Sequence, residues 1–160
     1  MRVPIRYLPK RLSKKDREKQ VKLLIKSRKL YKKGEYFTRS KLNSYPHKES
    51  SHVIKAKHLY NVKTLIPNLE LSQKTGCSID GLKQIVRKGE GAYFSSGSRP
   101  SQTAQSWGIA RLASSITGGK SSAVDLHILK KECHHNKQAY KLAIKTPGFG
   151  RRSTKHINYS

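Results

Sequence analysis

Between Gly89 and Gly119 the chain carries only three charged side chains, Glu90, Arg99 and Arg111, although the whole of it sets 35 Lys and Arg against 9 Asp and Glu. Like charges repel one another in any compact state, so a formal +26 opposes folding wherever it is concentrated. Specific packing therefore has most room in this charge-poor stretch. Hydrophobic residues make up 34% of the chain and mean hydropathy is -0.75, which predicts a modest core, with part of the chain ordered only against a partner. That partner neutralises charge: a nucleic acid, an anionic membrane surface or an acidic protein face.

The expected fold class is α+β, predominantly helical: a small single domain with a few short strands and extended basic termini. Pro4 and Pro9 predict an extended N-terminal arm over 1–12, a helical or mixed basic domain over 13–145, and an extended C-terminal tail over 146–160. Met1 to Lys63 holds 20 basic and 4 acidic residues, so the charge is biased towards the N-terminal part. Ser13, with Asp16 three residues on, predicts a capped helix over Lys14 to Lys32 that stops at Gly34. Val21, Leu24, Ile25 and Tyr31 share one face of it, while Leu23 and Leu30 lie nearly opposite. Tyr36, Phe37 and Thr38 read as a short strand, and a short helix from Ser50 or Ser51 carries Val53, Ala56 and Leu59.

Asn68 opens a helix through Lys74, Gly76 breaks it, and Ser78 caps a second helix from Ile79 to Lys88, with Gly89 as terminator. Helix, tight turn and helix have the proportions of a DNA-reading unit, and also of a plain structural hairpin. As a reader it would present Lys83, Gln84, Arg87 and Lys88.

Within the charge-poor stretch, Ala92 to Phe94 read as a strand and Ser95 to Ser98 as a turn. Arg99 is held extended by Pro100, and Thr103 caps a helix reaching Thr117. Ile109, Leu112, Ala113 and Ile116 form its inner stripe. Trp107 and Arg111, four apart, are placed to stack. With Arg99 they form the best interaction cluster. Trp107 alone reads as a small-core residue bonded to the Ser-rich loop, as a protein anchor, or as a base-stacking ring.

Gly118-Gly-Lys-Ser-Ser122 lacks the glycine at position 114 that a phosphate loop requires, so nucleotide hydrolysis is not expected. Ser122 with Asp125 forms a second capping box, and Val124, His127, Ile128 and Lys131 line one helical side. Cys133, His134 and His135, with His127, have metal-ligand types without the usual paired spacing, so no metal or other cofactor is assigned. Nor does residue order support a catalytic set; the chain is not expected to be an enzyme. Cys77 and Cys133 read as reduced thiols, and with no spanning or signal segment this implies a soluble, intracellular origin. Tyr140, Leu142 and Ile144 alternate as one short strand.

The run GEGAYFSSGSRPSQTAQSWGIARLASSITGGKSSAVDLHILKKEC resembles an uncharacterised domain of nucleocytoplasmic large DNA viruses (chlorella-virus and mimivirus-like proteins). KKDREKQVKLLIKSRKLYKKGEYFTRSKL and KTGCSIDGLKQIVRKG resemble it too. SSGSRPxQTxxSWxxARLAS is its distinctive part, matched here by Ser95, Gly97, Arg99, Pro100, Gln102, Trp107 and Arg111, with Gly91 upstream. The resemblance implies a virion component, present in host cytoplasm or nucleus during assembly: a minor capsid or cement protein bridging major and other minor capsid subunits. Its protein-interface residues would be Arg99, Trp107, Arg111, Leu23 and Leu30. The alternative is a DNA-binding or packaging-associated protein touching viral double-stranded DNA through Lys14, Lys15, Lys22, Lys83, Arg87 and Lys88. No transmembrane segment is expected, and contact with an anionic inner-membrane surface is compatible with the charge.

Overall fold

A computed structural model describes residues 1–146 and 155–158. Its elements are β1 (Arg2–Pro4), a 3-10 turn (Ile5–Tyr7), α1 (Lys14–Lys32), α2 (Ser51–Leu59), α3 (Leu69–Thr75), α4 (Ile79–Ser95), α5 (Ala104–Ile116), α6 (Lys120–Val124), α7 (Leu126–Glu132), α8 (Gln138–Lys145) and β2 (His156–Asn158). The fold is α+β and predominantly helical. It comprises two compact units: one formed by 1–48, 90–107 and 153–160, the other by 49–89 and 108–152.

In the first unit α1 begins and ends where its sequence dictates. The Ser13 hydroxyl accepts from the Asp16 N–H at 3.1 Å. The Asp16 carboxylate does not return to Ser13; it accepts from the Ser44 N–H (2.9 Å) and hydroxyl (2.6 Å), while Ser44 Oγ accepts the Ser13 N–H at 3.0 Å. Those two bonds hold the Asp16 carboxyl below its usual range. The inner face of α1 buries Gln20, Leu24 and Ser27, with Leu23 and Val21 partly covered, whereas Ile25 turns outward among lysines, against its expected place.

Residues 1–12 are not a surface arm. Val3, Tyr7, Leu8 and Leu12 are buried in the core of this unit, because β1 pairs antiparallel with β2 (Val3 opposite Ile157) and closes the chain over α1. Of the tail expected over 146–160, residues 147–154 and 159–160 lie outside the described residues. Tyr36 to Thr38 form no strand.

Among the described residues, the regular elements of the second unit are helices. Asn68 caps α3 through the Leu71 N–H (2.9 Å), Gly76 ends it at φ 82, and Ser78 receives the Gly81 N–H (3.0 Å) at the start of α4. Val53 and Ala56 of α2 are buried as expected, but Leu59 is exposed and Tyr60 takes the interior place. Tyr60 donates its hydroxyl to the Ile116 carbonyl, and burial raises its ionisation far above the ordinary phenol value.

Three further readings fail here. First, α4 continues past Gly89 to Ser95, so Ala92 to Phe94 are helical. A Cβ on Gly89 would stand 2.6 Å from Gly108 Cα, which shows how closely α4 and α5 approach at that point. Second, Tyr140 to Ile144 belong to α8, whose Ala139 and Ala143 are buried four residues apart. Third, Ser122 sits inside α6 and donates to the Gly119 carbonyl at 2.6 Å, so it makes no capping box with Asp125.

Cys77 and Cys133 are not separate thiols but a disulfide. Ser78 N–H donates to the Glu132 carbonyl and His134 N–H to that of Gly76, each at 2.8 Å, which sets the two cysteines opposite one another in a bridge that 56 residues of sequence separation conceal. Closing a loop of that length stabilises the fold by about 4 kcal/mol in the chain-entropy account.

Two glycines of α4 give the packing account a test. Gly89→Ala should cost about 1–3 kcal/mol by overpacking against backbone. At Gly91 an added Cβ meets nothing within 4 Å, so Gly91→Ala should stabilise by up to about 1 kcal/mol through helix propensity. Denaturant melts of the two variants should move in opposite directions.

Candidate nucleic-acid interface

The outer face of α1 is a continuous cationic stripe. Lys15, Lys19, Lys22, Lys26, Lys29 and Lys33 follow one another at intervals of four, three, four, three and four residues, which keeps them on one side of a helix, and all six are exposed. At 1.5 Å per residue the stripe runs about 27 Å, one cation every 5 Å or so. Lys22, Lys26, Lys29 and Lys33 wall a shallow depression of about 370 Å³ whose floor is Ile25 and Leu30. Lys14 and Lys15 stand exposed in the first turn, where the helix dipole disfavours cations, so helix stability does not explain them.

A second basic feature of the same unit is a cleft of about 430 Å³ lined by Arg2, Arg6, Arg28 and His156, with Ser95 and Ser96 at its rim and Pro4 and Tyr7 completing the wall. Among the described residues no carboxylate lines it. Arg28 is fixed by donating Nε to the Ser96 carbonyl (2.8 Å) and Nη1 to the Arg2 carbonyl (3.0 Å). Two of its five donors are thereby used to orient the guanidinium. Partial burial lowers its ionisation from the ordinary arginine value, with the Tyr7 phenol opposing. Oriented guanidinium groups beside hydroxyls suit phosphate, which they can grip with two parallel bonds.

Beneath these surfaces lies Arg39, which is 6% exposed and has neutral partners: Ser27 Oγ (2.8 Å), the Tyr93 carbonyl (2.8 Å), Ser98 Oγ (2.9 Å) and the Tyr93 ring, 3.8 Å below the guanidinium. It ties α1, the segment after it and the α4–α5 turn together. Desolvation lowers its ionisation from the usual value.

The residues singled out from sequence are dispersed. Lys22 and Leu30 meet in the α1 depression, whereas Leu23 turns to the core of the first unit. Lys83, Arg87 and Lys88 are exposed on α4 in the second unit, Lys88 Nζ lying 3.2 Å from His127 Nε2. Arg99 is exposed in its turn. Trp107 and Arg111 do not form the expected stack: the Trp107 ring meets Tyr7 edge-on at 6.0 Å, and Arg111 grips the fully buried Asp125 through Nε (3.0 Å) and Nη2 (2.6 Å). Ser115 also donates to that carboxylate, at 2.8 Å. In the glycine loop, Ser114 takes the N–H groups of Gly119 (2.8 Å, through its carbonyl) and Ser121 (3.2 Å, through its hydroxyl), so these do not face a phosphate.

The lysine stripe was open to discovery by its spacing, since 4-3-4-3-4 is the pattern normally sought among apolar residues. Arg2, Arg28 and His156 were not, because β-pairing of the two chain ends brings them together.

Residues 4–139 match the model of one family, described as a family of unknown function, DUF5824. The chain belongs to that family. No curated protein and no solved structure matches it. The matched region contains the stripe, the α3–α4 hairpin and the charge-poor stretch, while His156 lies beyond it.

Arg111 can be separated from the interface experimentally. Breaking a buried pair strands its partner, so Arg111→Ala should lower folding stability by about 3–5 kcal/mol. At temperatures where the variant stays folded, its affinity for a polyanion should equal that of the parent protein; thermal melts and binding isotherms on one sample check both.

Proposed function

We propose that this protein is a nucleic-acid-binding protein that grips the sugar-phosphate backbone and performs no chemistry on it. The observation that carries the reading is the six-lysine stripe of α1. Lysines in an exposed row, which outnumber the two acidic side chains of α1 (Asp16 and Glu18), neutralise successive phosphates and release their counterions, which supplies affinity independent of sequence. The arginine cleft adds an oriented phosphate site, and the net +15 of the first unit, nineteen basic against four acidic residues, steers the polyanion towards it. In a large DNA virus, the setting implied by the sequence resemblance, the ligand would be the genome.

A minor capsid or cement role is the second reading. It is favoured by the second unit, which exposes Ile54, Leu59, Ile66, Leu69, Val124 and Ile144. Such residues suit protein contacts better than phosphate. Crosslinks to capsid subunits in intact particles would support it, and recovery with the released genome alone would remove it.

For the nucleic-acid reading, each lysine that neutralises a phosphate adds about 0.9 to the slope of log affinity against log salt on duplex DNA. The triple variant Lys22→Gln, Lys26→Gln, Lys29→Gln should therefore flatten that slope by about 2.7. A slope unchanged from the parent, or binding no tighter than that of a size-matched protein of equal charge, would refute the proposal.

A further inference from the structure

The end of α1 turns the chain back beside its own last turn. Gly34 at φ 81 allows its N–H to donate to the Tyr31 carbonyl and that of Glu35 to the Leu30 carbonyl, both at 2.9 Å, the paired bonds of a glycine-terminated helix. Tyr36 is thereby set against Tyr31, ring centroids 6.2 Å apart, and against Phe94 at 5.1 Å. Phe94 in turn meets Tyr93 edge-on at 5.1 Å. Tyr93 is fully buried and locked, with the Arg39 guanidinium on its ring and its hydroxyl accepting the Arg39 N–H at 2.9 Å.

Four rings thus run from a fixed interior end to an open one, where Tyr36 is 72% exposed and Tyr31 39%. A single exposed tyrosine would be ordinary. This one is braced on two sides by aromatic rings and adjoins the lysine stripe: Phe37, the next residue, carries Lys26 Nζ 4.5 Å from its ring centre. Between Lys22 and Lys41 the sequence places eight Lys and Arg against one acid, Glu35.

We propose that Tyr36, backed by Tyr31 and Phe94, is a stacking platform for an unpaired base, so that the protein prefers single-stranded over double-stranded nucleic acid. This rests on the backbone-binding reading above. In a duplex each base face is covered by its neighbour, whereas a single strand offers those faces to an aromatic ring, and a cationic track with adjoining rings is the combination that holds single strands without reading their sequence. The lysines of α1 hold the phosphates and the open ring takes a base.

Fluorescence anisotropy of the full chain with a labelled oligothymidylate and with a duplex of equal length tests this. Tyr36→Ala should weaken the single strand about tenfold while changing duplex affinity less than about twofold, and Tyr36→Phe should bind as the parent does. In Tyr36→Trp, the oligothymidylate should quench indole emission beyond any change in the parent's Trp107 signal. Equal losses on both probes, or absent quenching, would overturn the platform. An unchanged single-strand affinity in Tyr36→Ala would do the same and leave the ring row as a protein-docking patch. Tight, salt-sensitive duplex binding alongside any of these results would preserve the backbone reading, whereas failure of the parent protein to bind either probe removes both.

Discussion

Nine carboxylates cannot neutralise thirty-five cations, and the way each unit folds follows from that shortage. A buried charge normally demands a partner of opposite sign, because its desolvation costs several kcal/mol. Arg39 meets the demand with two hydroxyls, a carbonyl and a tyrosine ring. Arg28 uses two backbone carbonyls. In the second unit, by contrast, a carboxylate is taken fully out of water, where Asp125 holds Arg111 and Ser115. Serine-rich segments, which resemble loose linkers by composition, are in fact the acceptors that let arginine enter a core.

The same shortage explains the outward-facing chemistry. Most cations are placed at the surface, where water and salt screen them, and α1 concentrates them on its outer side while Leu24 and Gln20 close the inner one. In the free helix these lysines repel one another at three and four residues. A polyanion removes that repulsion and turns it into affinity. Fold and proposed function are therefore coupled through one electrostatic term: the surface that costs the free protein stability is the surface that the ligand stabilises.

Much of the helical framework was legible because its boundaries are written in local chemistry. Ser13 and Gly34, Asn68 and Gly76, Ser78, and Thr103 with Ser106 each satisfy orphan backbone groups within a few residues of themselves. Ser106 even returns the bond, accepting the Thr103 N–H at 2.9 Å. Glycine misled where its role was contact. Gly89 reads as a stop signal, yet it is the place where α5 comes within van der Waals reach of α4, and the helix runs on. Alternation misled in the same manner at Tyr140 to Ile144, since Ala139 and Ala143, too small to mark a pattern, are the buried face.

By itself the sequence determined the class of fold, the ends of α1, the turn between α3 and α4, and the excess of positive charge. These depend on side chains acting on their own neighbourhood or on a sum over the whole chain. Only the tertiary structure decided that Cys77 faces Cys133, that the two chain ends pair to assemble an arginine cleft, that Trp107 and Arg111 serve different contacts, and that an open tyrosine row adjoins the lysine stripe. Each of these joins residues distant in sequence or chooses among several available partners, and that choice is made by packing, which no local pattern encodes.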